Sequence, residues 1–195
     1  MIKLIDLLEN KMLVTRRSKE ERSKNYLIAT QKKIQQYIKD GEKGDLNLRN
    51  TPITSLPQGL KVGSYLDLSG SKITSLPQDL TVGGNLNLYK TPITSLPQDL
   101  KVGGSLNLYG TKITSLPQYL KVVNFLDLEN TPITSLPQGL TVGDNLYLNN
   151  TPIATLPQGL TVVGDLYLKD TPLSRKYTKE QIRAMVPGIK GNIYI

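Results

Sequence analysis

VGGNLNLYKTPITSLPQDLK (Val82–Lys101) runs without a gap into VGGSLNLYGTKITSLPQYLK (Val102–Lys121), and near-copies of the same phrase fill the chain from about residue 44 to 173. A fixed period of 20 residues defines a solenoid, in which each repeat is one coil that buries its apolar side only by stacking on its neighbours. Leu-x-Leu pairs recur at Leu46/Leu48, Leu66/Leu68, Leu86/Leu88, Leu106/Leu108, Leu126/Leu128, Leu146/Leu148 and Leu166/Leu168. Ile193/Ile195 follow Ile189 at the same spacing, so a last strand is expected there. Period-two alternation sends the leucines to one side and the residues between them to the other. One such strand per coil, always in the same direction, stacks as a parallel sheet of about eight strands with a spacing of about 4.8 Å.

The rest of each coil closes it. Ile93, Leu96 and Leu100 add inward apolar groups, while Pro92 and Pro97 favour extended backbone over helix. Gly83 and Gly84 mark a tight bend before the strand. The hydroxyl column Thr51, Ser71, Thr91, Thr111, Thr131, Thr151 and Thr171 is placed to bond turn backbone. The glutamines Gln58, Gln78, Gln98, Gln118, Gln138 and Gln158 are expected to bridge neighbouring coils on the convex side.

This pattern resembles the leucine-rich repeat, with Thr where that consensus has Asn and Val one residue further ahead of the strand. The short period and the Leu-Pro-x-x-Leu phrase look most like the repeats of bacterial type III secretion effectors, and similar arrays occur in bacterial and bacteriophage proteins. The resemblance covers about residues 44–173 and implies an α/β repeat solenoid, a right-handed coil that binds proteins.

Three segments are expected: an N-terminal helical cap (1–43), the solenoid (44–173) and a C-terminal cap of helix and strand (174–195), together one structural domain. In the first, Ile5, Leu8 and Met12, with Ile2 and Leu4, line one side of a short helix. Ser18 with Glu21 reads as a capping box that starts a second helix, running to about Lys39 and ended by Gly41. Its apolar stripe Leu27, Ile34 and Ile38 is expected to lie on the first coil. At the other end Thr178 and Gln181 form a capping box, Tyr177 staples onto Ile182, and Pro187 follows the helix.

Composition narrows the chemistry. The chain has 195 residues, no Cys and no His, which excludes disulfides, thiol nucleophiles and histidine bases and leaves no usual zinc site. No enzyme activity, cofactor or metal is expected: no glycine-rich phosphate loop opens a helix, and Asp67 and Asp127 lie three coils apart, about 14 Å by strand spacing and too far for paired-carboxylate work. A chain without Cys suits the cytoplasm, or the host cytoplasm of a phage-encoded protein. No apolar run is long enough for membrane insertion.

The net charge of +8 sits at the ends. Residues 1–43 hold 11 Lys/Arg against 6 Asp/Glu, residues 44–173 hold 8 against 9, and residues 174–195 hold 5 against 1. Arg16, Arg17, Lys19 and Arg22, with Lys32 and Lys33 further on, form a candidate site for nucleic acid or another anionic surface; the competing reading is a solvated cap face.

The outward columns of the strands offer the main candidate site. Tyr65 and Phe125 precede the first leucine; Asn87, Asn107, Asp127, Tyr147 and Tyr167 lie between the leucines; Tyr89 and Tyr109 follow the second. Of ten Tyr and one Phe in the chain, seven fall in these columns, Tyr194 included. Tyr with Asn and Ser has the chemistry of a protein-binding paratope, whereas cross-strand pairing for stability is the alternative use. The expected function is therefore a non-catalytic protein-binding module whose partner is an unidentified protein. Nucleic-acid binding through the basic caps and a self-associating rod are the alternatives, with the free chain a monomer or weakly self-associating.

Overall fold

The computed structural model describes the backbone of residues 2–195 and the side chains of residues 11–13, 15, 16 and 18–195. The chain opens with α1 (Ile2–Lys39), followed by β1 (Leu46–Asn47), β2 (Lys61–Val62), β3 (Leu66–Asp67), β4 (Thr81–Val82), β5 (Leu86–Asn87) and β6 (Lys101–Val102). Then come β7 (Leu106–Asn107), β8 (Lys121–Val122), β9 (Leu126–Asp127), β10 (Thr141–Val142), β11 (Leu146–Tyr147), β12 (Thr161–Val162) and β13 (Leu166–Tyr167). The chain closes with α2 (Pro172–Lys176), α3 (Lys179–Met185) and β14 (Ile193–Tyr194).

The fold is the expected solenoid. One strand from each coil joins an eight-stranded parallel sheet in the order β1-β3-β5-β7-β9-β11-β13-β14. Its register is set by the leucines: Leu46 sits opposite Leu66, Leu86 opposite Leu106, and Leu166 opposite Ile193. Because the register places like on like, one continuous core forms from the paired leucines, the Ile53-type and Leu60-type positions and the valines, nearly all buried. Among the hydroxyls, Thr51, Thr91, Thr111, Thr131, Thr151 and Thr171 each donate to the carbonyl of the leucine three residues back. Ser71, equally buried, has no such bond. The glutamine expectation fails: only Gln118 bridges coils, donating to Gln138 O at 3.5 Å among the described residues. The others are exposed, where water satisfies their amides.

Two features are additional. The valine before each strand belongs to a second set of ladders, β2-β4-β6 and β8-β10-β12. A break separates them at the coil where Val123 stands in the column of Gly63, Gly83, Gly103 and Gly143. A β-carbon at Gly83, Gly103 or Gly143 would run into the carbonyl of the preceding coil. Val163 occupies the same column, yet its N–H still bonds Val142 O at 3.0 Å, so the β-carbon alone does not explain the break. Just past each main strand the chain also turns through left-handed backbone, at Asn50, Gly70, Lys90, Gly110, Asn130, Asn150 and Asp170, with φ between 53° and 65°. Six of these are residues that tolerate that region; Lys90 is not.

The N-terminal cap departs from the expectation of two helices. α1 is one helix of 38 residues: nothing in it breaks a helix, and the Ser18 hydroxyl donates to Thr15 O at 2.9 Å, within the helix, instead of capping a new one. The expected stripe of Ile2, Leu4, Ile5 and Leu8 lies outside the described side chains; Met12 is 71 % exposed. The C-terminal part of α1 does cover the first coil. Ile34 is buried, with Leu27, Tyr37 and Ile38 packed beside it. Lys33 Nζ donates to Asn47 O at 2.6 Å, and the Tyr37 hydroxyl donates to Gly44 O while accepting from Gly63 N–H.

At the other end the Thr178–Gln181 capping box starts α3 as expected, and Tyr177 packs on the core. A short helix not anticipated, α2, precedes it: Thr171 caps it with Ser174 while keeping its bond to Leu168 O.

Candidate functional site

The outward face of the eight-stranded sheet is where the coils differ most. Its aromatic side chains lie in two groups because they occupy two columns. Tyr89 and Tyr109, after the second leucine, stack with centroids 5.1 Å apart. Tyr147, Tyr167 and Tyr194, between the leucines, stack at 4.6 and 4.7 Å with ring planes within 16° of parallel. Phe125 meets Tyr147 edge-on at 6.2 Å. The strand spacing imposes this: identical rings in one column of a parallel sheet stand about 4.8 Å apart, near their stacking distance. Tyr65 lies apart from both groups, its hydroxyl accepting from Asn87 Nδ2 at 3.0 Å. The Tyr147 hydroxyl accepts from Asn145 Nδ2 at 3.1 Å, which holds that phenol against the sheet.

The stacking decides what the face offers. Ring faces inside each stack cover one another, so rigid ribbons of phenol edges and hydroxyls meet the solvent. Desolvation against neighbouring groups pushes the Tyr65 and Tyr167 phenols above their ordinary range.

Asn87, Asn107 and Asp127 have a structural occupation that the period alone does not reveal. Each Oδ1 accepts the backbone N–H two residues on, from Tyr89 at 3.0 Å, Tyr109 at 2.9 Å and Glu129 at 3.0 Å. Asn47 and Asp67 do the same for Arg49 and Ser69. These residues hold the backbone that carries the tyrosines. The signal was in the column: its first five members are all Asn or Asp, types that share this acceptor. A second row links successive coils, with Asp45, Asn85, Asn145 and Asp165 accepting from the N–H of Tyr65, Ser105, Asp165 and Asn192. Asp127 is half-buried, and desolvation pushes its carboxyl up to about 6, opposed by the Glu129 N–H and reinforced by the Glu129 charge.

The basic candidates are spread along α1. Arg16, Lys19, Arg22 and Lys32 are exposed; Arg16 pairs with Glu20 at 3.5 Å. The Arg17 side chain lies outside the described residues. Lys33 is bound to Asn47 O and so belongs to the cap. Sequence reasoning passed over Tyr119, 86 % exposed; the signal was an aromatic in a column otherwise held by Gly and Asp. No helix among the described residues is long and apolar enough to cross a membrane.

Fold and site together define a repeat solenoid with an aromatic, Asn-rich strand face. No protein-family model and no curated protein matches the chain.

Proposed function

We propose that this chain is a non-catalytic binding module of the leucine-rich-repeat kind that engages a protein partner through its strand face. The observation that carries the reading is the half-exposed aromatic ribbon of Phe125, Tyr147, Tyr167 and Tyr194, with Tyr89 and Tyr109 beside it, on a frame whose core residues scarcely vary. Rigid phenols lose little conformational entropy on binding and present both apolar area and hydroxyls. The ribbon suits a protein surface better than a nucleic-acid strand, because bases stack on open ring faces and the faces inside each stack are covered by one another. The exposed arginines and lysines of α1 support the competing reading, an anionic partner.

Capture from cell lysate at low and high salt, using the parent chain beside a variant with Tyr89, Tyr109, Tyr147 and Tyr167 all changed to Ala, separates the two. A protein retained at high salt by the parent and lost by the variant is expected, with far-ultraviolet circular dichroism showing both chains folded. Nucleic-acid-rich, salt-sensitive capture by both would sink the strand-face reading, since phosphate contacts weaken steeply with salt.

A further inference from the structure

The two ends of the eight-stranded sheet are not finished alike. At the first strand, α1 covers the edge and Lys33 fills the carbonyl of Asn47. At the last strand the ladder stops with its groups aimed outward. In every coil the leucine N–H groups donate forward: Leu146 to Asp165 O, Leu148 to Tyr167 O, Leu166 to Asn192 O and Leu168 to Tyr194 O, all between 2.7 and 2.9 Å. Ile193 sits in register with Leu166, so the N–H groups of Ile193 and Ile195 point off the end of the sheet. Neither finds an acceptor among the described residues. The row in which Asp45, Asn85, Asn145 and Asp165 accept from the following coil likewise reaches Asn192, whose side chain is exposed and bonds nothing among the described residues. Tyr194 ends the aromatic stack and is 42 % exposed, with Lys179 Nζ 5.9 Å from its ring centroid.

Asn192, Ile193 and Tyr194 form one wall of a cleft of about 560 Å³, and α3 forms the other, through Lys179, Glu180, Arg183 and Ala184. Arg183 is held in place, donating to Ile189 O at 2.9 Å and Gly191 O at 2.7 Å. The surrounding segment 174–195 carries five Lys/Arg and one Glu.

We infer that the cleft between β14 and α3 binds an extended acidic peptide segment of a partner protein, which adds a ninth parallel strand with an aromatic residue stacked on Tyr194. A strand between a sheet edge and a helix takes its affinity from backbone hydrogen bonds and its specificity from alternate side chains. Here the specificity elements are the open Tyr194 face and the positive wall. A second copy does not fit: the first-strand edge is covered by α1, and pairing two β14 edges sets the net positive charge of segment 174–195, five Lys/Arg against one Glu, against itself. This surface shares only Tyr194 with the strand face, and the variant that tests the strand face leaves Tyr194 unchanged, so either site can fail while the other stands.

The probe is a fluorescent peptide, acetyl-Glu-Asp-Leu-Tyr-Leu-Glu-Asp-amide, built on the chain's own Asp165–Leu168 strand and titrated by polarisation into the full chain. Saturable binding is expected. Backbone N-methylation at the peptide tyrosine abolishes it. Ile195→Pro removes an outward N–H that no bond in the fold uses, so it leaves the thermal midpoint unchanged and weakens binding about tenfold, the loss of one ladder hydrogen bond. Lys179→Glu weakens binding in the same way. The inference is overturned if the peptide does not saturate, or if the N-methylated peptide or Ile195→Pro binds as the parents do. It is also overturned if oligo-dT displaces the peptide more effectively than unlabelled peptide, or if sedimentation shows a dimer that Ile195→Pro dissociates.

Discussion

Asp127 shows how one position serves both frame and surface. Its Oδ1 is needed by the Glu129 N–H, yet its second oxygen carries charge into a half-buried site, and the carboxyl is raised from 3.8 to about 6. The folded chain holds this proton more tightly than the unfolded chain. The residue's favourable contribution is therefore complete below about pH 4 and lost as pH rises through about 6. Asn87 and Asn107 make the same backbone bond without a charge. Asp127→Asn is thus expected to flatten the pH dependence between those limits and to stabilise the chain near pH 7 by about 1 kcal/mol, a figure reduced for partial exposure. Urea unfolding at pH 4.5 and 7 measures both effects; an unchanged pH profile would remove Asp127 as the source. Lys90 poses a backbone question instead. It adopts φ 53° in a column where Asn50, Asn130 and Asn150 adopt φ between 54° and 57°. Left-handed backbone costs a β-substituted residue about 1–2 kcal/mol, while the ammonium 5.0 Å over the Tyr89 ring returns about 0.5–1 kcal/mol. Lys90→Asn is expected to raise the urea midpoint, by about 0.5 kcal/mol of stability; a lower midpoint would mean that the ring contact outweighs the strain.

The strands were legible element by element because a parallel ladder places each residue beside its counterpart one period away. The Tyr89–Tyr109 and Tyr147–Tyr167–Tyr194 neighbours follow from that rule alone. The helices were less legible. The Ser18–Glu21 pair has the form of a capping box, but capping is a local preference worth about 1 kcal/mol. With no Pro or Gly before Gly41, the helix runs through it. α2 was hidden for the opposite reason. Thr171-Pro172 repeats a phrase that starts no helix in earlier coils, where Pro57, Pro77, Pro97, Pro117, Pro137 and Pro157 follow and hold the preceding residue out of helical backbone. In the last coil that position is Tyr177, and the helix forms once the restraint is gone.

For the whole molecule, stability is shared between neighbours along the stack. Leu106 is fully buried between the coils of Leu86 and Leu126. Leu106→Ala is expected to cost about 2–5 kcal/mol. Hydrogen exchange should show protection lost first in the coils around β5, β7 and β9 and last near the capped ends; uniform loss along the chain would instead mean that the solenoid unfolds as a single unit. The sequence by itself determined the solenoid, its register, the composition of its core and which tyrosines are neighbours, because all of these depend on the period and on side-chain alternation. Only the tertiary structure decided which polar groups on the strand face are free and which are held by backbone N–H groups within their own or the next coil, since that depends on the direction of individual Oδ1 and N–H atoms. It also decided that α1 covers the first strand while β14 stays open beside α3, because the packing of a cap depends on contacts that no repeat encodes.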